Sequence, residues 1–487
     1  MYQQEKFADF ALSIKFSTLP PDVLDYSKIE FLDTLICGLA ASRLERSRIN
    51  QRVAKRLGGP NESTVFGLHP LVASSNAAYA NAEMMNALDA DETFYNAAHF
   101  SAISAAVALA EGERLDAPGA DLLCGYVAGF EVSARLNLAS KLIVYKGDQF
   151  QWSSLVGTGA DSFAAAMAAG YLAKLSREQL VHAMGLVGWT ATAPKSANMP
   201  TRSAFNSFKY APYGIVAQTG LMASILAQEG YIGDRDVLDI TPGFFEAQGY
   251  FGAYRELLDC KDDKWWILET SLKPYPSCRF THAAIDAVLH FQREFDLPLE
   301  AISKIEIKLN PIAYSMYFFH SPASSIPPDH RAPLHGAFNI PYITALALLG
   351  FRRGPGWYSP ENLSDAAVWD LASRITTSQD EELSVEWRDA VLNTPVHRPR
   401  FNRAIVSITS NDGRCQSYAS DYNQGDPWSD DTRADWKWLK SKMNDFMEGI
   451  MPVRQQDELF DIFRNLESVS SVRREISPLL TIGTGDS

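Results

Sequence analysis

Ala301-Ile302-Ser303-Lys304-Ile305-Glu306-Ile307-Lys308-Leu309 alternates apolar and polar side chains around three isoleucines, so it reads as a strand with one face in water. It decides the fold because almost everything before it has another texture. From residue 1 to about 268 the spacing predicts helix after helix with short polar breaks. Pro20-Pro21-Asp22 opens a segment whose Leu24, Phe31, Leu32, Leu35, Ile36 and Leu39 share one helical face. Ser74 to Leu88, Ser101 to Ala110, Asp121 to Leu136, Asp161 to Lys174, Arg177 to Trp189 and Gly214 to Glu229 follow. Helices this rich in Ala and Gly can approach closely and pack as a buried bundle.

Beyond Trp265 strands enter. Ala404 to Thr409 and Arg414 to Tyr418 flank Ser410-Asn411-Asp412-Gly413, whose Asp-Gly pair signals a hairpin. Helical stretches are expected at Thr281 to Glu294, Ile340 to Leu349 and Ser364 to Ile375. After Gly425-Asp426-Pro427 the chain turns helical again, over Thr432 to Met447 and Asp457 to Asn465. No repeat of solenoid length is present. The expected fold class is mainly α: a large all-helical domain from residues 1–268 and 426–487, with a smaller α+β lid domain, 269–425, inserted. The cleft between two such domains is where a small-molecule site is expected.

The 487 residues suffice for two or three domains, and 46% apolar against 21% charged residues is an ordinary globular balance. A formal charge of -14 with no Lys/Arg-rich run argues against nucleic-acid and anionic-membrane partners. An acidic protein can still bind an anion if it gathers a few cations in one cleft. Cys37, Cys124, Cys260, Cys278 and Cys415 are odd in number and far apart, which supports neither a disulfide framework nor a CxxC site. The opening MYQQEKFADF lacks the apolar run of a signal peptide, and no eighteen apolar residues run uninterrupted. A cytoplasmic location is therefore expected.

Three stretches could carry chemistry. The first runs Ala87-Leu88-Asp89-Ala90-Asp91-Glu92-Thr93-Phe94-Tyr95-Asn96-Ala97-Ala98-His99. Asp, Asn and Thr at a helix junction ordinarily cap it. Asp89, however, follows the apolar run Met-Met-Asn-Ala-Leu, where a solvated acid would be out of place. A partly buried carboxylate with an imidazole close by suits acid/base work. Asp, Glu and His are also metal ligands, but no recognised spacing joins them and no metal is expected. The second stretch, KSANMPTRSAFNSFK, places Lys195, Arg202 and Lys209 with no acid between them: either an anion pocket or a basic solvated loop. The third is Lys273-Pro274-Tyr275-Pro276-Ser277-Cys278-Arg279-Phe280-Thr281-His282, a loop stiffened by two prolines that could present donors to a carboxylate. Cys278 lacks the surroundings of a cysteine nucleophile and reads as a proton donor or a small packing residue.

Taken in order, these blocks resemble the MmgE/PrpD family, whose members include 2-methylcitrate dehydratase, cis-aconitate decarboxylase and iminodisuccinate epimerase. Phe31-Leu32-Asp33-Thr34-Leu35, Leu88-Asp89-Ala90-Asp91-Glu92-Thr93 with His99, and Gly125-Tyr126-Val127-Ala128-Gly129-Phe130-Glu131-Val132 carry the likeness. So do Gly157-Thr158-Gly159, Leu226-Ala227-Gln228-Glu229-Gly230-Tyr231-Ile232-Gly233 and Lys273-Pro274-Tyr275-Pro276-Ser277-Cys278. The resemblance implies a helical domain with a lid, a homodimer, and no metal or organic cofactor. It places Asp89, Thr93, His99, Lys209, Lys273 and His282 around the substrate. It also marks departures: Gln151, Gln218 and Cys278 stand where family decarboxylases carry a histidine, a lysine and a histidine.

The expected activity is that of a cofactor-independent lyase that removes water from a 2-methylcitrate-like or alkylcitrate-like tricarboxylate. Decarboxylation of a cis-aconitate-like substrate and epimerisation are alternatives on the same scaffold; a non-catalytic polycarboxylate-binding protein is the alternative of another class. Asp89, His99, Lys273, Cys278 and His282 are the expected catalytic groups. Asp91, Thr93, Gln151, Arg202, Lys209 and Arg279 are the expected substrate contacts, with Lys209, Lys273, Arg202 and Arg279 holding carboxylates and Asp89 orienting His99.

Overall fold

The computed structural model describes residues 1–95, 98–141, 143–152, 159–191, 207–208, 211–261, 263–295, 298–316, 320, 326–327 and 329–482. The first half of the chain is the expected succession of helices: α1 (Gln3–Ser13), α2 (Pro21–Ala41), α3 (Glu45–Leu57), α4 (Ser74–Met85), α5 (Ser101–Leu115), α6 (Gly119–Ala139), α7 (Ser162–Leu172), α8 (Arg177–Thr190), α9 (Tyr213–Gln228) and the single turn α10 (Phe244–Ala247). The helix α7 is almost all Ala and apolar residues, lies buried, and packs against α6 and α9. Small residues set that spacing. A Cβ at Gly220 of α9 would stand 2.1 Å from the Ser162 carbonyl oxygen, so only glycine permits the contact.

Short strands interrupt the helices where none was expected. β1 (Thr93–Phe94) lies in the acidic block, and β2 (Ile143–Lys146) pairs antiparallel with β3 (Gln149–Trp152) as a hairpin. The β-branched Ile143-Val144 ahead of the Gly147-Asp148 turn was its available signal. β4 (Thr270–Ser271) pairs antiparallel with β1, Thr93 facing Ser271 and Phe94 facing Thr270.

After α11 (Arg279–Phe295) the chain makes β5 (Ile302–Leu309), the strand read from its alternation, with Ile302, Ile305, Ile307 and Leu309 buried. The helices α12 (Pro311–Ser315), α13 (Ala332–Gly336), α14 (Ile340–Leu348), α15 (Pro360–Leu363) and α16 (Ala366–Ser373) then lead to β6 (Ile375–Gln379). The helix expected to reach Ile375 stops at Ser373, and Ile375-Thr376-Thr377 runs parallel to β5 instead. Three β-branched residues in a row favour the pleated strand over another helical turn. A further helix, α17 (Glu381–Asn393), starts at Asp380, whose carboxylate accepts the Leu383 N–H at 3.2 Å. The hairpin expected around Asp412-Gly413 is β7 (Ala404–Ser410) with β8 (Cys415–Ala419), and the sheet order is β6-β5-β7-β8. The chain closes with α18 (Trp436–Phe446), α19 (Val453–Arg464) and the short α20 (Val472–Glu475). Both α18 and α19 pack on α2, far away in sequence. The molecule is thus mainly helical with one small α+β region. Among the described residues no helix is long and apolar enough to cross a membrane.

Candidate active site

The two-residue ladder between β1 and β4 brings the Asp89 block beside the Lys273 loop. Helix α4 ends at Met85, and the chain turns sharply through Asp89, whose φ of 52° lies in the left-handed region. Asp tolerates this better than most side chains because its short polar group bonds locally. After β1 the chain doubles back: Phe94 N–H donates to the Ala98 carbonyl at 2.8 Å, and Ala98 N–H returns to the Phe94 carbonyl at 3.2 Å. That tight return sets His99 beside Glu92. The His99 ring nitrogen Nδ1 lies 2.5 Å from the Glu92 carbonyl oxygen, so Nδ1–H is the donor and Nε2 is the basic nitrogen of the neutral ring. The Glu92 carboxylate accepts N–H bonds from Phe100 (2.6 Å) and Ser101 (2.7 Å), fixing the start of α5.

Lys273 is completely buried. Its ammonium donates to Asp89 Oδ1 at 2.5 Å and to the Asp89 carbonyl at 2.8 Å. Burial pulls its pKa down, but the carboxylates of Asp89 and Asp91 outweigh that and hold it above the usual lysine value. An ammonium has three donors, and two are spent on Asp89. Ligand atoms of Asp89, Asp91 and His99 lie within 4.8 Å of one another. Among the described residues these three are the groups that could hold a metal ion, and the Lys273 ammonium already supplies positive charge to Asp89. Asn86 Nδ2 donates to both Asp91 oxygens, at 3.0 and 2.8 Å. Thr93 is fully buried, and its hydroxyl makes no hydrogen bond among the described residues.

Two supports come from residues outside the expected set. Lys442, on α18, donates to the Ala90 carbonyl (2.8 Å) and to Asp33 Oδ2 (2.9 Å), with Asp33 Oδ1 in ion-pair distance at 2.7 Å, tying the Asp89 turn to α2. Burial raises the Asp33 carboxyl to about 6 against the pull of Lys442. The signal is present in the sequence: Lys442 follows Leu439 by three residues and precedes Phe446 by four, which puts it on the apolar face of its helix. The second support is Asp426. It accepts from Ser271 Oγ at 2.6 Å, from Asn423 N–H at 2.8 Å and from the Arg279 guanidinium. Gly425, with φ of 86°, lets this strap lie on the Lys273 loop; a Cβ there would stand 1.8 Å from the Leu272 carbonyl oxygen.

The expected site residues do not all come together. Asp89, Asp91, Thr93, His99 and Lys273 are gathered and buried, and Cys278 is buried close enough to act on the charge of Lys273. Arg279 and His282, in the first turn of α11, are engaged with the strap and the Lys273 loop. Arg279 donates to Asp426, to the Gln424 carbonyl (3.2 Å) and to His282 Nδ1 (3.2 Å), while His282 Nε2–H donates to the Ser277 carbonyl (3.1 Å). Burial, then the charges of Arg279 and Lys273, hold the His282 imidazole well below its usual value, so it is neutral. Gln151 stands half-buried on β3 opposite Val144, and Gln218 on α9 bonds Asn76 at 3.1 Å. Lys195, Arg202 and Lys209 lie outside the described residues. The His99 Nδ1 is held by the Glu92 carbonyl; Asp89, expected to orient His99, has a ligand atom within 4.8 Å of the imidazole and is also ion-paired with Lys273.

Comparison with known proteins matches residues 5–251 to the MmgE/PrpD N-terminal domain and residues 275–468 to the MmgE/PrpD C-terminal domain. Among curated proteins, the chain is similar to a cis-aconitate decarboxylase of Aspergillus terreus, 24% identical with 77% of each chain covered. It is also similar to cis-aconitate decarboxylases of Mus musculus (25% identical, 99% of this chain and 96% of the relative) and of Homo sapiens (27% identical, 64% of this chain and 65% of the relative).

Proposed function

Because the chain belongs to the MmgE/PrpD family, we propose that it is a lyase of small polycarboxylates that works without a cofactor, and that its reaction is removal of water from a citrate-like hydroxy acid. The observation that carries this reading is the buried Lys273 ammonium held beside Asp91 and His99, with two N–H bonds to Asp89 and a third N–H that no acceptor takes among the described residues. That N–H would bond a substrate carboxylate. A cation at the carboxylate stabilises the negative charge that develops when the neighbouring C–H loses its proton, and in a dry site the effect is larger than in water. His99 Nε2 would take the proton, its ring fixed by the Glu92 carbonyl. The Thr93 hydroxyl would bond a second substrate oxygen. Cys278 is the candidate to protonate the departing hydroxyl. Arg279 and His282, engaged with Asp426 and Ser277, would position the Lys273 loop rather than touch substrate.

Decarboxylation is the second reading, favoured by the activity named for the curated relatives. Incubation with citrate, 2-methylcitrate, longer alkylcitrates and cis-aconitate, read by mass spectrometry, separates the two: loss of water supports dehydration and loss of carbon dioxide supports decarboxylation. No change in any of them refutes the lyase reading. We also propose that the protein is a homodimer. The exposed apolar residues Ile215, Met222 and Leu226 lie along one side of α9 and would be covered by a second copy, which light scattering of the purified chain tests.

A further inference from the structure

The loop from Lys273 to Cys278 is held at its two ends by different parts of the chain. At the first end the Lys273 ammonium bonds the carboxylate and the carbonyl of Asp89. At the other end the grip comes from residues 336–358. The Cys278 N–H donates to the Ala337 carbonyl at 2.9 Å, and the Tyr358 hydroxyl donates to the carbonyl of Pro276, just ahead of the thiol. Trp357 adds to the hold by stacking on Tyr275, with ring centroids 6.0 Å apart and planes 15° from parallel.

Tyr358 is itself firmly placed. It is 5% exposed, and its ring lies against Gly336 at the end of α13. A Cβ there would stand 2.6 Å from the ring carbon Cε1, so the bare glycine backbone makes the room. The carbonyl of Trp357 accepts from the Tyr342 hydroxyl at 2.5 Å, which ties this stretch of main chain to α14. Burial first, then Tyr342, Asp89 and Cys278, push the Tyr358 hydroxyl well above the usual tyrosine value, so it stays protonated and remains a donor. A buried phenol that spends its proton on a main-chain carbonyl holds a position; it does not offer that proton to a substrate.

We propose that Tyr358 is a positioning residue which, seated on Gly336, fixes the Cys278 thiol where it serves the substrate, while Asp89 separately fixes Lys273. The inference rests on the reading of Cys278 as the group that protonates the departing hydroxyl. Loss of the Tyr358 hydroxyl should therefore slow proton delivery without weakening the grip on the substrate carboxylate, because both bonds that hold Lys273 remain.

Steady-state kinetics on the full chain test this with whichever of the citrates or cis-aconitate the wild type consumes. Tyr358→Phe keeps the ring and should lower kcat about tenfold, a part of the ~10²–10⁴-fold that a positioned general acid contributes, with KM within about twofold of wild type. Gly336→Ala, which displaces the ring and leaves its hydroxyl, should act in the same direction. Cys278→Ala should lower kcat as well, and adding Tyr358→Phe to it should cost nothing more, because a residue that acts through the thiol then has nothing left to place. A wild-type kcat in Tyr358→Phe, a loss confined to KM, or losses that multiply in the double variant would overturn the assignment. A second arm needs no substrate. Alkylation of Cys278 by iodoacetamide, read by peptide mass spectrometry against the exposed Cys415, should run about fivefold faster in Tyr358→Phe, the factor for one lost hydrogen bond of ordinary strength. An equal or slower rate overturns the assignment. If the wild type consumes none of the acids, the lyase reading fails and the alkylation rate alone decides the role of Tyr358. Should Gly336→Ala not fold, Tyr358→Phe decides without it.

Discussion

Replacing Asp89 with Asn would remove one charge and almost no volume. Asn accepts the left-handed backbone that Asp89 adopts, so the variant isolates electrostatics from shape. In the native protein Lys273 donates at 2.5 Å to the Asp89 carboxylate and at 2.8 Å to the Asp89 carbonyl. The variant keeps the carbonyl and offers an amide oxygen in place of the carboxylate. Breaking a buried ion pair typically costs ~3–5 kcal/mol. Since two neutral acceptors remain and Asp91 still acts on the ammonium, the loss should fall at the low end, about 3 kcal/mol at neutral pH. Its pH dependence is the sharper test. The native lysine is held above its usual value, so its contribution is full at neutral pH and fades only as the pH climbs through that raised value. In Asp89→Asn burial prevails, and the folded pKa drops below the unfolded one. Between those two values the unfolded chain binds more protons, so stability of the variant rises with pH. Urea unfolding at intervals from neutral pH to about 10 should show the gap to wild type narrowing, the upper limit being near the usual lysine value. A gap under about 1 kcal/mol at neutral pH, well below the cost of breaking a buried pair, or a gap that widens with pH, refutes the reasoning.

Thr93→Val should leave the urea midpoint nearly unchanged, because the hydroxyl it removes makes no bond among the described residues, yet lower turnover of the active substrate about tenfold; unchanged turnover removes Thr93 from the substrate contacts. Lys442→Met should destabilise by ~3–5 kcal/mol, since it strands Asp33 and frees the Ala90 carbonyl, and a native-like midpoint would show that the α18 anchor is unimportant. Glu30 is fully buried, and burial, then Glu92, hold its carboxyl well above the usual range. The folded state therefore binds the extra proton, and Glu30 alone makes native stability fall by up to about 1.4 kcal/mol per pH unit above the unfolded carboxyl value. Glu30→Gln removes this contribution, so the variant should lose stability with rising pH less steeply than wild type above the unfolded carboxyl value; parallel curves would contradict it.

Much of this site can be read from residues close together in the chain. Asp89 stands out as an acid straight after an apolar run, and the prolines around Tyr275 mark a stiff loop. The helices are legible because Ala-rich periodicity extends over many turns, as are β5 and the β7–β8 hairpin because alternation and an Asp-Gly turn are local signals. What escapes depends on distance or on backbone. β1 and β4 are two residues each, too short for any period to register, although they bring the two blocks together. The partner of His99 Nδ1 is a main-chain carbonyl, to which no side chain corresponds. Arg279 looks like a substrate cation because its partner, Asp426, lies 147 residues further on. Ile375 reads as the end of a helix because the parallel partner that claims it sits 70 positions back, at Ile305.

The dependence of the Asp89 turn on Lys442 and of the Lys273 loop on Asp426 carries a consequence for biosynthesis. A ribosome finishes the N-terminal helices long before either anchor exists. The nascent bundle can collapse early, but both reactive loops stay unbraced until translation has passed residue 442. Fragments that stop short of that point should be compact, helical and chemically inert.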